Sequence, residues 1–196
     1  MEDLTWLAED LLPAGAMVMM SGPRKKGYKT WFALSLAMSV ARGTDYKGYF
    51  KPVGPKRVLF IEEEGTRPDT RDRVGKVMRM LDIDPASLPT DDPFYDNFLW
   101  FHHLRLKLDN PVHVSYLLRL VQAYDIELLV LDALTYMHDV DENSKKDMQI
   151  INNALMNLRS AGCTVLYLVH TNKSSDREDC DIDVGVRGST VMLDAY

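Results

Sequence analysis

The sequence predicts an α/β fold in which helices cover both faces of a mostly parallel sheet. Short apolar runs alternate with helical segments along the 196-residue chain, and these runs lack the polar alternation of strands that have one solvated face. Polar and charged residues also stand directly after several of the apolar runs. Because ligands bind beside the carboxyl ends of parallel strands, we expect these polar residues to share one functional edge.

Each predicted strand is a short apolar run bounded by polar or turn-forming residues. The run at 58–61 reads Val-Leu-Phe-Ile, and the run at 164–169 contains three β-branched residues, which favour extended backbone. The predicted strands are residues 16–20, 58–61, 98–101, 128–131, 164–169 and 190–193.

Four helices are predicted from apolar spacing and from capping residues. Residues 72–81 carry apolar side chains at the i, i+3, i+4 and i+7 positions of an amphipathic helix. Asn110 and Pro111 supply a cap and a first-turn proline, and Ser144 begins a sequence that resembles a capping box. The predicted helices are 30–41, 72–81, one after Asn110 and one after Ser144, with a connector rich in Pro and Asp at 82–97.

The composition is that of a compact globular protein, and the length suits one domain over residues 1–196. Two cysteines do not make a disulfide framework, and no apolar run is long enough to cross a bilayer, so we expect a cytoplasmic location without membrane insertion. The net charge of −6 argues against broad attraction to nucleic acid. The last predicted strand ends close to Tyr196, which is compatible with a truncated chain.

A glycine-rich segment between the first strand and the first helix predicts a phosphate-binding loop. Residues 21–30 read Ser-Gly-Pro-Arg-Lys-Lys-Gly-Tyr-Lys-Thr. In such loops, backbone N–H groups point at the phosphates, a lysine neutralises them and the next hydroxyl reaches a magnesium ion. The sequence therefore predicts ATP and Mg²⁺ as ligands. The candidate nucleotide-binding residues are Gly22, Lys26, Gly27, Tyr28, Lys29 and Thr30.

This loop is one residue longer than the standard pattern, in which lysine directly follows the second glycine. One interpretation is that the loop bulges by one residue. Another is that Tyr28 occupies the usual place of glycine while Gly27 relieves the crowding before it. A basic surface turn without ligand is the alternative to both.

Carboxylates after two other strands complete the predicted site. Asp132 follows four apolar residues and is expected to support magnesium together with Thr30. Ala133 follows it, so the residue that activates water must come from elsewhere, and the three glutamates at 62–64 are the expected source. We expect one of them to be functional and the others to be solvated. His170 is either a sensor of the γ-phosphate or a strand-end histidine with a satisfied ring.

Taken in order, these segments resemble the RepA-type branch of RecA-like ATPases, the hexameric replicative helicase family with AAA-type relatives in phages and plasmids. The matching segments are 12–15 leading into the phosphate-binding loop, 58–64, 131–134, 141–143, 168–173 and 187–189. The resemblance implies a RecA-like P-loop fold, a three-layer αβα sandwich around a mostly parallel sheet. It also implies that Glu64 activates water, that Asp132 supports magnesium, that His170 is the sensor and that Arg187 is an arginine finger acting across a subunit boundary.

The resemblance further implies a DNA-dependent ATPase that forms a ring, with a hexamer as the expected size, and acts on single-stranded DNA. Two alternatives remain open on the sequence. One is a RecA-like recombination or repair ATPase that assembles filaments, and the other is a regulatory nucleotide-binding module with little turnover. The lengthened phosphate-binding loop is compatible with the second alternative.

Overall fold

The computed structural model describes residues 4–23, 28–46 and 48–170. A short antiparallel pair, β1 (Trp6–Ala8) and β2 (Leu12–Pro13), precedes a five-stranded sheet. The strands of that sheet are β3 (Met17–Gly22), β4 (Val58–Glu62), β5 (Phe98–His102), β6 (Leu128–Asp132) and β7 (Thr164–His170). They lie in the order β3-β7-β6-β4-β5, and every neighbouring pair is parallel.

Five helices within the described residues connect the strands. They are α1 (Lys29–Arg42), α2 (Arg67–Met80), α3 (Pro93–Asn97), α4 (Pro111–Ala123) and α5 (Lys145–Ser160). A single turn of 3₁₀ helix at Leu134–Tyr136 follows β6. Most of the helix starts carry a side-chain cap that satisfies a first-turn N–H group, as Asn110 does for Val112 and Ser144 does for Asp147.

The central strands are buried on both faces, which is why their sequences show no polar alternation. One core contains Leu129 and Leu131 of β6 and packs against α4 and α5, and the other contains Leu128 and Val130 and packs against α1, α2 and α3. Fully burying one such side chain contributes roughly 1.5–3 kcal/mol. The result is the predicted three-layer αβα sandwich around a parallel sheet.

The structure also contains elements that the sequence did not predict. Helix α2 begins at Arg67, five residues before the predicted start, because Thr66 caps it and Pro68 occupies its first turn while that turn buries almost nothing. Helix α3 lies in the predicted connector, where the Asp92 side chain accepts a hydrogen bond from the Phe94 N–H. The predicted strand at 190–193 lies outside the described residues.

The strand register determines which residues meet at the carboxyl edge. Gly22 at the end of β3 pairs with His170 at the end of β7, and Glu62 at the end of β4 pairs with Asp132 at the end of β6. Parallel strands end on the same side of the sheet, so the phosphate-binding loop, the carboxylates and the histidine come together without long loops.

Candidate functional site

A pocket of about 230 Å³ lies at the carboxyl edge of the sheet, between the start of α1 and the ends of β4, β6 and β7. It contains six of the residues predicted for the site together with four that sequence reasoning did not single out. The pocket is lined by Pro23, Tyr28, Lys29, Thr30, Trp31, Glu64, Gly65, Arg73, Asp132 and His170.

Lys29 is the first residue of α1 and is almost completely buried, at 9% exposure. Its Nζ donates hydrogen bonds to the carbonyl oxygens of Gly22 (2.7 Å) and Pro23 (3.1 Å), and it lies 3.3 Å from His170 Nδ1. Burial lowers the pKa of Lys29, whereas the nearby charges of Asp132 and Glu64 raise it. An ammonium group has three N–H donors. All three therefore have an acceptor within the protein, and a bound phosphate would compete with these acceptors.

Tyr28 occupies the position directly before Lys29 with φ 50° and ψ 15°, the left-handed conformation that glycine adopts most easily. This conformation agrees with the interpretation in which Tyr28 takes the usual place of glycine. The side chain is 76% exposed and makes no capping hydrogen bond to α1. The Tyr28 side chain therefore does not cap the first-turn N–H groups of α1. A helix start that binds phosphate needs these N–H groups uncapped. Lys26 and Gly27 lie outside the described residues.

Asp132 ends β6 and is 1% exposed. It accepts a hydrogen bond from the Thr30 side chain, while its Oδ2 has no hydrogen-bond partner within the part of the chain that the structure describes. Burial raises the pKa of Asp132 to about 6, the charge of Glu64 adds to this, and Thr30, Arg73 and His170 oppose it. A buried carboxylate oxygen without a partner is a costly arrangement that a bound cation would relieve.

The oxygen donors of Thr30 and Asp132 fit a magnesium ion, which prefers hard oxygen ligands. No group of three or more His, Cys, Asp or Glu within residues 4–23, 28–46 and 48–170 is arranged to hold a metal ion. Magnesium sites in nucleotide-binding proteins commonly use only one or two protein oxygens, with substrate phosphates and water as the remaining ligands. The residues present are therefore compatible with magnesium bound together with a nucleotide.

His170 lies between Lys29 and the glutamate cluster and is buried. Its Nδ1 accepts from the Lys29 ammonium, so the ring proton of the neutral imidazole belongs on Nε2, which lies 3.2 Å from Glu64 Oε2. Glu64 is half-buried at the rim of the pocket. The structure thus brings together Lys29, His170 and Glu64 in one chain of polar contacts.

The expectation that two of the three glutamates are solvated is wrong. Glu62 is 2% exposed, and its Oε1 accepts hydrogen bonds from Thr70 Oγ1 (3.0 Å) and from an Arg73 Nη1 (2.9 Å). Glu63 is also buried, and its backbone N–H donates to the carbonyl oxygen of Asp132. Glu62 is covered because α2 folds back over this end of β4, whereas Glu63 Oε2 lies 3.8 Å from Nδ1 of His103, which follows β5.

Burial and the negative charge of Asp132 raise the pKa of Glu62 to about 7, against the opposing effects of Thr70 and Arg73. Arg73 is the most important residue that sequence reasoning missed, since its guanidinium both pairs with Glu62 and lines the pocket. The cap at Thr66 followed by Pro68 was the available signal. A helix that begins at Arg67 has Arg73 in its second turn, where the guanidinium reaches Glu62 at the end of β4.

Arg187, the predicted arginine finger, lies outside the described residues, as do all positions from 171 onward. None of the helices within residues 4–23, 28–46 and 48–170 combines the length and the apolar character that a membrane span requires.

Comparison with known families agrees with this geometry. A family model described as an AAA domain matches residues 1–176, which is most of the chain. No curated protein matches the chain. The parallel sheet with its flanking helices is that of an α/β RecA-like P-loop fold, and it places the phosphate-binding loop at the carboxyl edge. Fold, loop and family match lead to one conclusion, which is that the chain belongs to the AAA domain family of P-loop ATPases.

Proposed function

We propose that this chain is a single RecA-like domain, residues 1–196, that binds and hydrolyses ATP as a RepA-type helicase or a related motor in phage or plasmid replication. The observation that carries the proposal is the convergence of Lys29, Glu64, Asp132 and His170 on one pocket. One ammonium, two carboxylates and one imidazole, which come from four separate parts of the sequence, are difficult to explain as a basic surface turn. A site that hydrolyses a nucleotide brings together a cation for the phosphates, carboxylates for the metal ion and the attacking water, and polar groups that contact them.

Nucleotide binding is assigned to the loop and to the start of α1. Lys29 would exchange its contacts with Gly22 and Pro23 for phosphate oxygens, and the N–H groups of the first turn of α1 would add further donors. Thr30 and Asp132 would hold Mg²⁺, which neutralises phosphate charge when bound. Gly22, Lys26, Gly27 and Tyr28 are the further residues that we assign to nucleotide binding.

Glu64 is the proposed base for the attacking water. Its carboxylate is the least buried of the three glutamates and lines the pocket, whereas Glu62 is held by Arg73 and Thr70. His170 is the proposed sensor, because its ring contacts the phosphate-binding lysine through Nδ1 and faces Glu64 through Nε2. A change in the partners of Lys29 would therefore alter the hydrogen bonding of the histidine that touches the base.

We also propose that the protein forms a hexameric ring in which Arg187 reaches the pocket of the neighbouring subunit, and that single-stranded DNA is its second partner. These proposals rest on the resemblance of the ordered motifs to RepA-type ATPases. The rival within the same fold is a recombination or repair ATPase, which would assemble open filaments rather than closed rings.

The decisive experiment measures ATP hydrolysis by the full chain with and without single-stranded DNA, and examines the assembled particles by electron microscopy. We expect Mg²⁺-dependent hydrolysis that DNA stimulates, together with closed rings. Lys29→Ala should lose ATP binding, measured by calorimetry, while Lys51→Ala, an exposed lysine away from the pocket, should bind normally. Hydrolysis that DNA does not change would contradict the motor, and an absence of ATP binding would contradict the assigned site.

A further inference from the structure

Three exposed arginines lie on one ridge of α2. Arg67, Arg71 and Arg79 occupy positions i, i+4 and i+12, and Gly75 takes the remaining place in this row. Rows of residues four apart form the surface ridges of an α-helix. At a rise of 1.5 Å per residue the row is about 18 Å long. We refer to Arg67, Arg71 and Arg79 as the arginine ridge.

The arginine ridge carries positive charge that the described part of the protein does not balance. None of its three guanidinium groups has a hydrogen-bond or ion-pair partner within the described residues, whereas the other two basic side chains of α2 are both paired. Arg73 contacts Glu62 at 2.9 Å, and Lys76 contacts Asp72 at 2.6 Å. Like charges four residues apart destabilise a helix, so the arrangement of Arg67 and Arg71 has a cost that local structure does not explain.

An open groove of about 550 Å³ runs along this ridge, bounded by Arg67, Pro68, Arg71, Asp72, Gly75 and Arg79. The Arg79 guanidinium lies over Gly75, since a Cβ at this glycine would be 3.6 Å from Arg79 Nη1, an ordinary van der Waals contact. The one carboxylate in the lining, that of Asp72, is already paired with Lys76. Asp82 and Asp84 line the adjoining pocket at the Arg79 end. The guanidinium donors of Arg67 and Arg71 therefore face no unpaired carboxylate in the lining of this groove.

The ridge begins at the rim of the nucleotide pocket. Gly65 lines that pocket, and Arg67 follows it after the capping residue Thr66. The backbone oxygen of Gly65 is also 2.7 Å from His103 Nε2, which places the end of β5 beside the start of α2. An anion held on the ridge would consequently contact the segment that connects Glu64 to α2.

We propose that the arginine ridge binds the phosphate backbone of single-stranded DNA. Guanidinium groups bind phosphate oxygens in bidentate fashion, and spaced arginines on one groove suit a chain of phosphates. Because the whole chain carries a net charge of −6, only a local basic surface would attract a polyanion. The choice of DNA as the occupant rests on the proposed function. Arg67 lies two residues after Gly65, which lines the nucleotide pocket, so a strand bound at Arg67 would lie close to the hydrolytic site.

The test measures binding of a fluorescein-labelled oligothymidylate by anisotropy over a series of salt concentrations. The main variant combines Arg67→Ala, Arg71→Ala and Arg79→Ala in the full chain. We expect its affinity to fall at least about 10-fold and the slope of log affinity against log salt to become shallower by about 2, since each phosphate contact on a single strand contributes about 0.7. ATP hydrolysis without DNA should be unchanged.

Two controls separate charge from structure. The corresponding triple change to lysine should keep most of the salt slope, and Arg119→Ala, an exposed arginine on α4, should bind as the parent does. Equal thermal midpoints would show that the triple alanine variant is folded.

Unchanged affinity and salt slope in the triple alanine variant, with DNA binding by the parent, would overturn the ridge proposal and leave the proposed function intact. No DNA binding by the parent would overturn both the ridge proposal and the DNA-dependent function, while ATP binding lost in Lys29→Ala would still support the nucleotide site. Polyglutamate that binds the parent through the ridge, without DNA binding, would identify an acidic protein surface as the occupant and also overturn the proposal.

Discussion

The contacts that join Lys29, His170 and Glu64 are the central feature at the scale of single residues. Each residue could be predicted from its position after a strand or in the phosphate-binding loop, because strand ends in a parallel sheet lie on one edge. Their direct contact could not be predicted, since it depends on side-chain conformations of buried groups. The burial of Glu62 could not be predicted for a related reason, because it depends on where α2 folds back over the end of β4.

The first prediction concerns Glu64. Glu64→Gln removes the carboxylate that would accept a proton from water but keeps the side-chain shape. We expect the turnover number for ATP to fall about 10²–10⁴-fold, the range for loss of a general base, while ATP affinity changes only a few-fold. Steady-state hydrolysis and calorimetric binding measure the two quantities separately. Glu9→Gln, on the exposed turn after β1, is the matched control, and a Glu64→Gln enzyme with normal turnover would exclude the assigned base.

The second prediction concerns Glu62 and pH. Burial raises the pKa of Glu62 from 4.5 to about 7 in the folded state. Between pH 4.5 and 7 the Glu62 carboxyl group is therefore protonated in the folded protein and ionised in the unfolded chain. The free energy of unfolding must then fall as pH rises from about 4.5 to 7, by at most about 1.4 kcal/mol per pH unit from this group. Asp132 contributes with the same sign between 3.8 and about 6.

Glu62→Gln cannot ionise, so its unfolding free energy should depend less steeply on pH over that range. Urea unfolding of the nucleotide-free protein at several pH values measures the difference. Identical pH profiles for the parent and Glu62→Gln would show that Glu62 does not hold a proton in the folded state.

At the scale of elements, the sequence predicts the strands correctly because burial determines their pattern of apolar residues. The five parallel strands of the described residues were found within one or two residues, because each is built on a continuous apolar run. That run is fully buried in β4, β6 and β7 and partly buried in the edge strands β3 and β5. The pair β1 and β2 was missed because strands of three and two residues are too short to show a period. The start of α2 was missed because its first turn is mostly exposed, so that only its capping residues mark it.

The third prediction concerns the cap of α2. Thr66 Oγ1 accepts a hydrogen bond from the Asp69 N–H and donates one to Asp69 Oδ2 at 2.6 Å. Thr66→Ala removes both and should lower the free energy of unfolding by about 1 kcal/mol, the usual cost of losing an N-cap. Thr66→Ser keeps the hydroxyl and should retain most of the stability. Urea denaturation compares the three proteins, and equal loss in both variants would mean that the methyl group, not the cap, matters.

At the scale of the whole molecule, the order β3-β7-β6-β4-β5 brings the site residues to one edge. The α/β class and its three layers could be predicted because strands and helices alternate along the chain. Assembly into a ring could not be read from composition, and Arg187 lies outside the described residues. The proposal of a trans-acting arginine therefore needs a test on mixed assemblies.

The fourth prediction concerns that arginine. Arg187→Ala should bind ATP as the parent does but lose turnover by about 10³-fold or more, the effect of removing an arginine finger. Mixing it with Lys29→Ala should restore part of the activity, because an intact pocket can meet an intact Arg187 of another subunit. Hydrolysis by the mixture, compared with each variant alone, measures the restoration. A mixture as inactive as its components would indicate that Arg187 acts within its own subunit or not at all.

The pairing of Gly22 with His170 and of Glu62 with Asp132 has a consequence for how this gene can vary. Side chains along a strand alternate between the two faces, so a one-codon deletion inside β6 or β7 would reverse the face on which every following strand residue emerges. Such deletions would dismantle both cores and the catalytic edge together. Insertions between α2 and β5 leave the strand register unchanged, and homologous genes should therefore differ in length in that region and not within the strands.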